Sequence, residues 1–174
     1  IIMNPSTGDI LAIATYPDYD LNSPRTPNDS LSSTWDTLSS EDQVNSLIKM
    51  WRNKAVSDTY EPGSTFKIIT AAIGLEEGVV NTDTPGDFYC SGSELINGIK
   101  INCWKYQTTH GSQTLRQALM NSCNPALMQL GKRIGAPTLY KYYEAFGLFD
   151  KTGIATSGEA NSYFWNLDDV GPIE

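Results

Sequence analysis

The sequence predicts a mixed α/β fold, and three observations carry that expectation. Residues 1–16 hold two apolar runs, 1–4 and 10–16, on either side of Pro5-Ser6-Thr7-Gly8-Asp9. Those five residues have turn chemistry, with Gly8 free to take positive φ, so the segment reads as a β-hairpin. Apolar residues then recur at helical spacing in several stretches. Between them, residues 82–113 are rich in Gly and Ser and carry only short strand-like pieces.

The elements come in order along the chain. Residues 17–34 are rich in Pro, Asn, Asp and Ser and read as a loop. Val44, Leu47, Ile48 and Trp51 fall at helical spacing and predict a helix over 40–51. Tyr60-Glu61-Pro62-Gly63 breaks the chain, and a strong helix is expected over 64–77. Phe66, Ile68, Ile69, Ala72, Ile73 and Leu75 give it apolar cover on most sides, so it is expected to be buried, with Gly78 at its C-terminal cap. Another helix is expected over about 114–121 and a further one from Asn124-Pro125, with Asn124 as N-cap. Gly135-Ala136-Pro137 separates this from a helix reaching about Phe146, and the remaining residues read as loop.

Composition narrows the function classes. The 174 residues suit one domain with a real core. A net charge of −8 with scattered Lys and Arg excludes a general nucleic-acid binder. The longest apolar runs fall far short of the ~20 residues that span a bilayer. The chain opens on Ile1-Ile2-Met3 as if inside a strand and has no initiating Met, so it reads as a piece of a longer protein. Three cysteines, an odd number, argue against a closed disulfide framework.

The chemistry centres on Glu61-Pro62-Gly63-Ser64-Thr65-Phe66-Lys67. A serine hydroxyl is a poor nucleophile until a base takes its proton. A lysine three residues later on a helix lies on the same face, one turn along. If that face is shielded from water, desolvation lowers the lysine pKa and brings neutral amine within reach. Backbone N–H groups at a helix start also help stabilise an oxyanion. Spacing alone does not single out this pair, because Ser46-Leu47-Ile48-Lys49 repeats it. Ser46 reads as part of a solvated helix face. Ser64 differs in coming directly after Pro62-Gly63, which lets the backbone turn sharply. The competing reading is an N-cap serine with a snorkelling lysine.

Ser122-Cys123-Asn124 is the one Ser-x-Asn in the chain and falls between two expected helices. A loop there can aim both side chains into one cleft. The Ser122 hydroxyl can relay a proton between Lys67 and a leaving amine. The Asn124 amide can hold a peptide group and the lysine. The plainer reading makes Asn124 only the cap before Pro125.

Together these elements resemble the penicillin-binding proteins and serine β-lactamases, whose pattern is Ser-x-x-Lys, then Ser-Asp-Asn, then Lys-Thr-Gly. The resemblance is closest to the transpeptidase domain of class B penicillin-binding proteins. Met3-Asn4-Pro5-Ser6-Thr7-Gly8-Asp9-Ile10-Leu11-Ala12 is similar to its opening strands, and Trp51-Arg52-Asn53-Lys54-Ala55 to the segment before the serine. Ser122-Cys123-Asn124-Pro125-Ala126 is similar to its second motif, and Phe146-Gly147-Leu148 through Gly158-Glu159 to the segment after that motif. The resemblance implies that residues 1–174 are part of an antiparallel sheet covered by helices, with the first hairpin in the sheet and the Ser64 helix buried at the centre. It implies Ser64 as nucleophile, Lys67 as its base, Ser122 as proton relay and Asn124 as substrate-positioning residue. The implied reaction cross-links peptidoglycan stem peptides ending in D-Ala-D-Ala through an acyl-enzyme, which β-lactams mimic. It needs no cofactor. The implied location is the outer face of a bacterial cell membrane, among cell-wall synthesis proteins. Lys151-Thr152-Gly153 spells the third motif but comes too soon after the second and off any expected strand, so it is refused. The functional copy is expected beyond Glu174, which would leave this piece catalytically incomplete alone.

The rival readings are a β-lactam sensor that acylates without transpeptidation, an inactive scaffold, and a D,D-carboxypeptidase or β-lactamase. A β-lactamase needs a further base for deacylation, and Glu159 and Glu174 have no context that supports the role. One motif stands apart. Asp87, Cys90, Cys103 and His110, the one histidine, offer a carboxylate, two thiolates and an imidazole suited to a structural zinc. A Cys90–Cys103 disulfide and unpaired buried thiols are the alternatives. Cys123, near the cleft, is expected to pack, and Trp104 reads either as a core residue or as part of the cleft lining.

Overall fold

The computed structural model describes residues 1–169. Glu174, one of the two acids considered for deacylation, lies outside them. The chain forms two compact units, Ile1–Thr59 with Lys151–Asn161, and Tyr60–Asp150 with the segment from Ser162.

The first unit begins with the expected hairpin. β1 (Ile2–Met3) pairs antiparallel with β2 (Ile10–Ala12), with Met3 opposite Ile10. The turn closes because Gly8, at φ +78°, donates to the Asn4 carbonyl at 2.8 Å. The ladder ends at Ala12, shorter than the apolar run to residue 16 implied. The stretch 17–34, expected to be loop throughout, contains one helical turn, α1 (Asp29–Ser32), with Asp29 suited to its first turn. α2 (Ser40–Trp51) occupies the predicted span, and Ser39 caps it by accepting from the Asp42 N–H. It buries Leu47 alone, while Val44 and Ile48 remain exposed. α3 (Lys54–Ser57) comes next, capped by Asn53.

In the second unit the helix expected over 64–77 is two pieces. Gly63–Phe66 is a 3-10 turn, and α4 (Lys67–Glu76) continues it. Gly78, at φ +67°, ends α4 as anticipated. It donates to the Leu75 carbonyl, and Val79 to that of Gly74, the bond pattern of a Schellman cap. α4 is not buried all round. Ala71, Ile73 and Gly74 face the core, but Ile68 is 69% exposed. An apolar composition on every side does not ensure that every side finds a partner within this chain.

Residues 82–113 form two small ladders, as their composition suggested. β3 (Phe88–Cys90) pairs antiparallel with β6 (Gly111–Gln113). β4 (Ser93–Ile96) pairs antiparallel with β5 (Ile99–Asn102). Asn97 and Gly98 join the latter pair with φ +48° and +79°, a two-residue turn of the primed type that matches strand twist. The described residues thus hold three two-stranded antiparallel ladders rather than one continuous sheet.

α5 (Leu115–Met120) starts with a full capping box between Thr114 and Gln117. α6 (Asn124–Ile134) and α7 (Ala136–Ala145) follow, with Gly135 at φ +81° between them, and a 3-10 turn at Leu167–Asp169 interrupts the final stretch expected to be loop. α6 is the axis of the core. Its Leu127, Leu130 and Ile134 repeat at helical spacing and bury with Ile73 of α4, Phe88 of β3 and Leu115 of α5. Leu130 is fully buried, which is worth about 2–3 kcal/mol in area removed from water. Gly74 makes this packing close, since a Cβ there would lie 2.8 Å from Leu130 Cδ1. No helix among the described residues is long and apolar enough to cross a membrane.

Candidate active site

Ser64 and Lys67 are set by the backbone that precedes them. Gly63 sits at φ +57°, a conformation glycine takes without strain, and starts the 3-10 turn right after Pro62. With three residues per turn, Ser64 and Lys67 project from one face, one above the other. This alignment is tighter than the α-helical one expected from sequence. Ser64 is exposed and Lys67 half-buried. The Thr65 hydroxyl donates to the Pro62 carbonyl at 2.7 Å and steadies the turn.

The second motif lies between α5 and α6, where sequence placed it. Ser122 has φ +46°, in the left-handed region that costs a non-glycine residue roughly 1–2 kcal/mol. Its carbonyl and its hydroxyl both accept from Lys67 Nζ, at 2.8 and 3.0 Å. Asn124 Oδ1 accepts from the same nitrogen at 2.6 Å. The three donors of the lysine ammonium are therefore matched by three acceptors from one loop. Asn124 is not the N-cap of α6: Cys123 holds that position, and Asn124 starts the helix proper. Its amide is thereby left to reach Lys67 on one side and to donate to the Asn102 carbonyl, at 3.2 Å, on the other.

Burial lowers the Lys67 pKa, against the opposing pull of Cys123 and Cys103 nearby. The direction favours neutral amine, the form able to take a proton. Among the described residues none of the Lys67 hydrogen bonds goes to Ser64. The arrangement can do two things: hold a lysine whose ammonium is solvated by Ser122 and Asn124, and present a serine hydroxyl one turn away on the same face.

The other motifs separate clearly. Ser46 is half-buried on α2 and Lys49 exposed, both in the first unit. Lys151-Thr152-Gly153 lies in irregular backbone, not on a strand. Thr152 donates to Glu159 Oε1 from its N–H at 2.6 Å and its hydroxyl at 2.7 Å, so Glu159 serves as a local clasp.

Cys90, Cys103 and His110 do come together, but Asp87 is not with them. The Asp87 carboxylate accepts from Arg133 on α6 at 2.7 Å instead. The fourth member is Cys123, and the ligand atoms of Cys90, Cys103, His110 and Cys123 all lie within 4.8 Å of one another. The three thiols are free and each is at most 1% exposed. Burial pushes the Cys123 thiol up to about 11 and holds the His110 imidazole below its usual value, with Lys105 adding to the latter. His110 Nδ1 is 3.5 Å from Cys103 Sγ, while its Nε2 is buried without a partner among the described residues. Trp104 is 66% exposed rather than in the core. Its indole N–H donates to the Asn121 carbonyl at 2.8 Å, and its ring meets that of His110 edge-on. Sequence reasoning missed Cys123 as a partner of the cluster; the signal was a third cysteine sitting inside the loop that carries Ser122 and Asn124.

Comparison with known proteins covers nearly the whole chain. A family model described as the penicillin binding protein transpeptidase domain matches residues 1–170. Stage V sporulation protein D of Bacillus subtilis is 40% identical over all of this chain, which spans 24% of that protein. The peptidoglycan D,D-transpeptidase PbpA of Mycobacterium tuberculosis is 36% identical over 85% of the chain, which spans 30% of it. Among solved structures, penicillin-binding protein A of M. tuberculosis as its imipenem acyl-enzyme complex superposes with a TM-score of 0.74 at 31% identity. That match covers 96% of this chain and 38% of the other. The chain thus spans about a quarter to a third of the curated relatives it matches.

Proposed function

Because the chain belongs to the penicillin-binding protein transpeptidase family, we propose that it carries the acylation half of a serine D,D-transpeptidase site. The observation that carries this reading is the Lys67 ammonium held by Ser122 O, Ser122 Oγ and Asn124 Oδ1, one 3-10 turn after Ser64. In this reading Lys67 loses a proton to become neutral amine, a step helped by its burial. Ser64 Oγ attacks the carbonyl carbon of the terminal D-Ala-D-Ala amide while its proton passes to Lys67 Nζ. The C–N bond then breaks, and the departing amine of D-alanine takes a proton from Lys67 through the Ser122 hydroxyl. An ester joins Ser64 to the stem peptide. The amine of a second stem attacks that ester and gives a proton to the same lysine; the ester C–O bond breaks, and Ser64 Oγ takes that proton back from Lys67 as the cross-linked peptide leaves. Penicillin enters the same path when Ser64 opens its lactam ring. Asn124 keeps the lysine aimed and offers its amide to the peptide backbone of the donor stem. No cofactor takes part. The site would work on the outer face of the bacterial membrane, where its substrate is found, alongside other cell-wall synthesis proteins.

The test uses the full-length protein with a pentapeptide ending in D-Ala-D-Ala and an acceptor amine. Release of D-alanine with formation of the cross-linked product is expected, and Ser64→Ala abolishes both. Release of D-alanine with water as sole acceptor would convert the reading to a carboxypeptidase, and a stable acyl-enzyme with no transfer product to a sensor.

A further inference from the structure

We infer that Cys90, Cys103, His110 and Cys123 form a closed metal site for a zinc-class divalent cation, and that this site anchors the loop bearing Ser122 and Asn124. The geometry comes first. A tetrahedral ion with bonds of ~2.0–2.3 Å holds its ligand atoms roughly 3.5–3.8 Å apart. The four ligand atoms here are already gathered within 4.8 Å, with His110 Nδ1 and Cys103 Sγ at 3.5 Å. Three sulfurs and one imidazole make a soft donor set that selects zinc over magnesium or calcium. Four protein ligands leave no open position, so the site is structural. Binding releases the three thiol protons to solvent.

The ligands come from four separate places. Cys90 ends β3, Cys103 comes directly after β5, His110 precedes β6, and Cys123 caps α6. The β3–β6 and β4–β5 ladders are three or four residues long and bury few large side chains. Segments with so little core gain most from a metal clip. Glycine shapes the enclosure: Gly92, at φ +99°, accepts at its carbonyl from the Cys103 N–H, and a Cβ on it would lie 2.6 Å from the Tyr106 carbonyl oxygen.

The link to the active site is covalent continuity. Cys123 lies between Ser122 and Asn124, the two residues that receive Lys67. Fixing Cys123 Sγ fixes the peptide units on both sides of it. Cys123 is in this sense a positioning residue, acting on the reaction through its neighbours. That second claim rests on the transpeptidase reading, whereas the metal site does not.

The full-length protein, purified under reducing conditions, is expected to hold about one zinc ion per chain by elemental analysis. Cobalt substitution is expected to give thiolate-to-metal charge-transfer bands and tetrahedral ligand-field bands. Cys90→Ser and Cys123→Ser lose the metal, while Asp87→Asn retains it. Where a Cys→Ser variant does not fold, the cobalt spectrum of the unaltered protein decides alone. Three reactive thiols with no metal, a disulfide among the three cysteines, or retention of metal by Cys123→Ser would each overturn the site. For the anchoring claim, chelation that leaves the protein folded by circular dichroism is expected to slow penicillin acylation about tenfold or more, with recovery on adding zinc. An unchanged rate in the folded metal-free protein contradicts it. Ser64→Ala removes acylation but leaves metal content intact, so failure of either claim shows separately.

Discussion

Lys67 Nζ donates to Asn124 Oδ1 across 2.6 Å, joining residues 57 positions apart in the chain. The contact ties the turn that presents Ser64 to the first residue of α6. It exists because Cys123 rather than Asn124 takes the capping position. Asn124→Ala removes this acceptor and the donor to the Asn102 carbonyl together. Acylation by a fluorescent penicillin is expected to slow about 10²-fold, the scale of a catalytic group left misplaced by loss of its positioning partner. A change of less than threefold would mean that Asn124 serves structure only.

Ser122 separates chemistry from backbone. Its hydroxyl accepts from Lys67, and its φ of +46° carries strain. Ser122→Ala and Ser122→Gly both lose the hydroxyl, so both are expected to lower D-alanine release to a similar extent. Their stabilities should differ, with Ser122→Gly about 1 kcal/mol more stable than Ser122→Ala because glycine takes the left-handed conformation freely. Chemical denaturation measures the difference; equal midpoints would contradict the strain.

The core prediction concerns the crossing of α4 and α6. Gly74→Ala gains helix propensity of ~1 kcal/mol but places a methyl group 2.8 Å from Leu130 Cδ1 and 3.1 Å from Val80 Cγ1. Leu130 is fully buried, so its side chain must turn within the core to yield. Overpacking is expected to win, giving a net loss of about 1–2 kcal/mol. Leu130→Ala is expected to cost about 2–5 kcal/mol by leaving a cavity. Urea midpoints of the two variants test both figures.

Gly92→Ala reaches the cysteine cluster without touching a ligand. Its φ of +99° and the 2.6 Å approach to the Tyr106 carbonyl leave no room for a Cβ. The loop must shift, so zinc retention against a competing chelator is expected to fall about tenfold or more. Unchanged retention would show that the loop does not shape the site.

Part of the fold and site is legible in the sequence, for reasons that particular residues make plain. The hairpin is readable from Gly8, α2 from the spacing of Leu47 and its neighbours, and the end of α4 from Gly78, because each is a local signal. Asn97-Gly98 is an equally local signal of a two-residue hairpin turn, and sequence reasoning missed it. The family is readable because Ser64, Lys67, Ser122 and Asn124 stand in the right order with the right neighbours. The grouping around Cys90 is only partly legible. Spacing suggests Asp87, but Asp87 is turned toward Arg133 by a long-range ion pair that only α6 brings near. Cys123 joins Cys90 and Cys103 for the same reason, since packing of α6 on β3 decides which side chains share a centre. The exposure of Ile68 is not legible either. Periodicity records which faces are apolar, not which of them find a partner.

The most direct test of the central claim is to map the site of acylation. The full-length protein is treated with benzylpenicillin, digested, and its peptides weighed by tandem mass spectrometry. The expected result is a penicilloyl adduct on Ser64, lost in Ser64→Ala and slowed in Lys67→Ala. An adduct on Ser46 or any other residue, or one that survives Ser64→Ala, would contradict the assignment of Ser64 as the nucleophile.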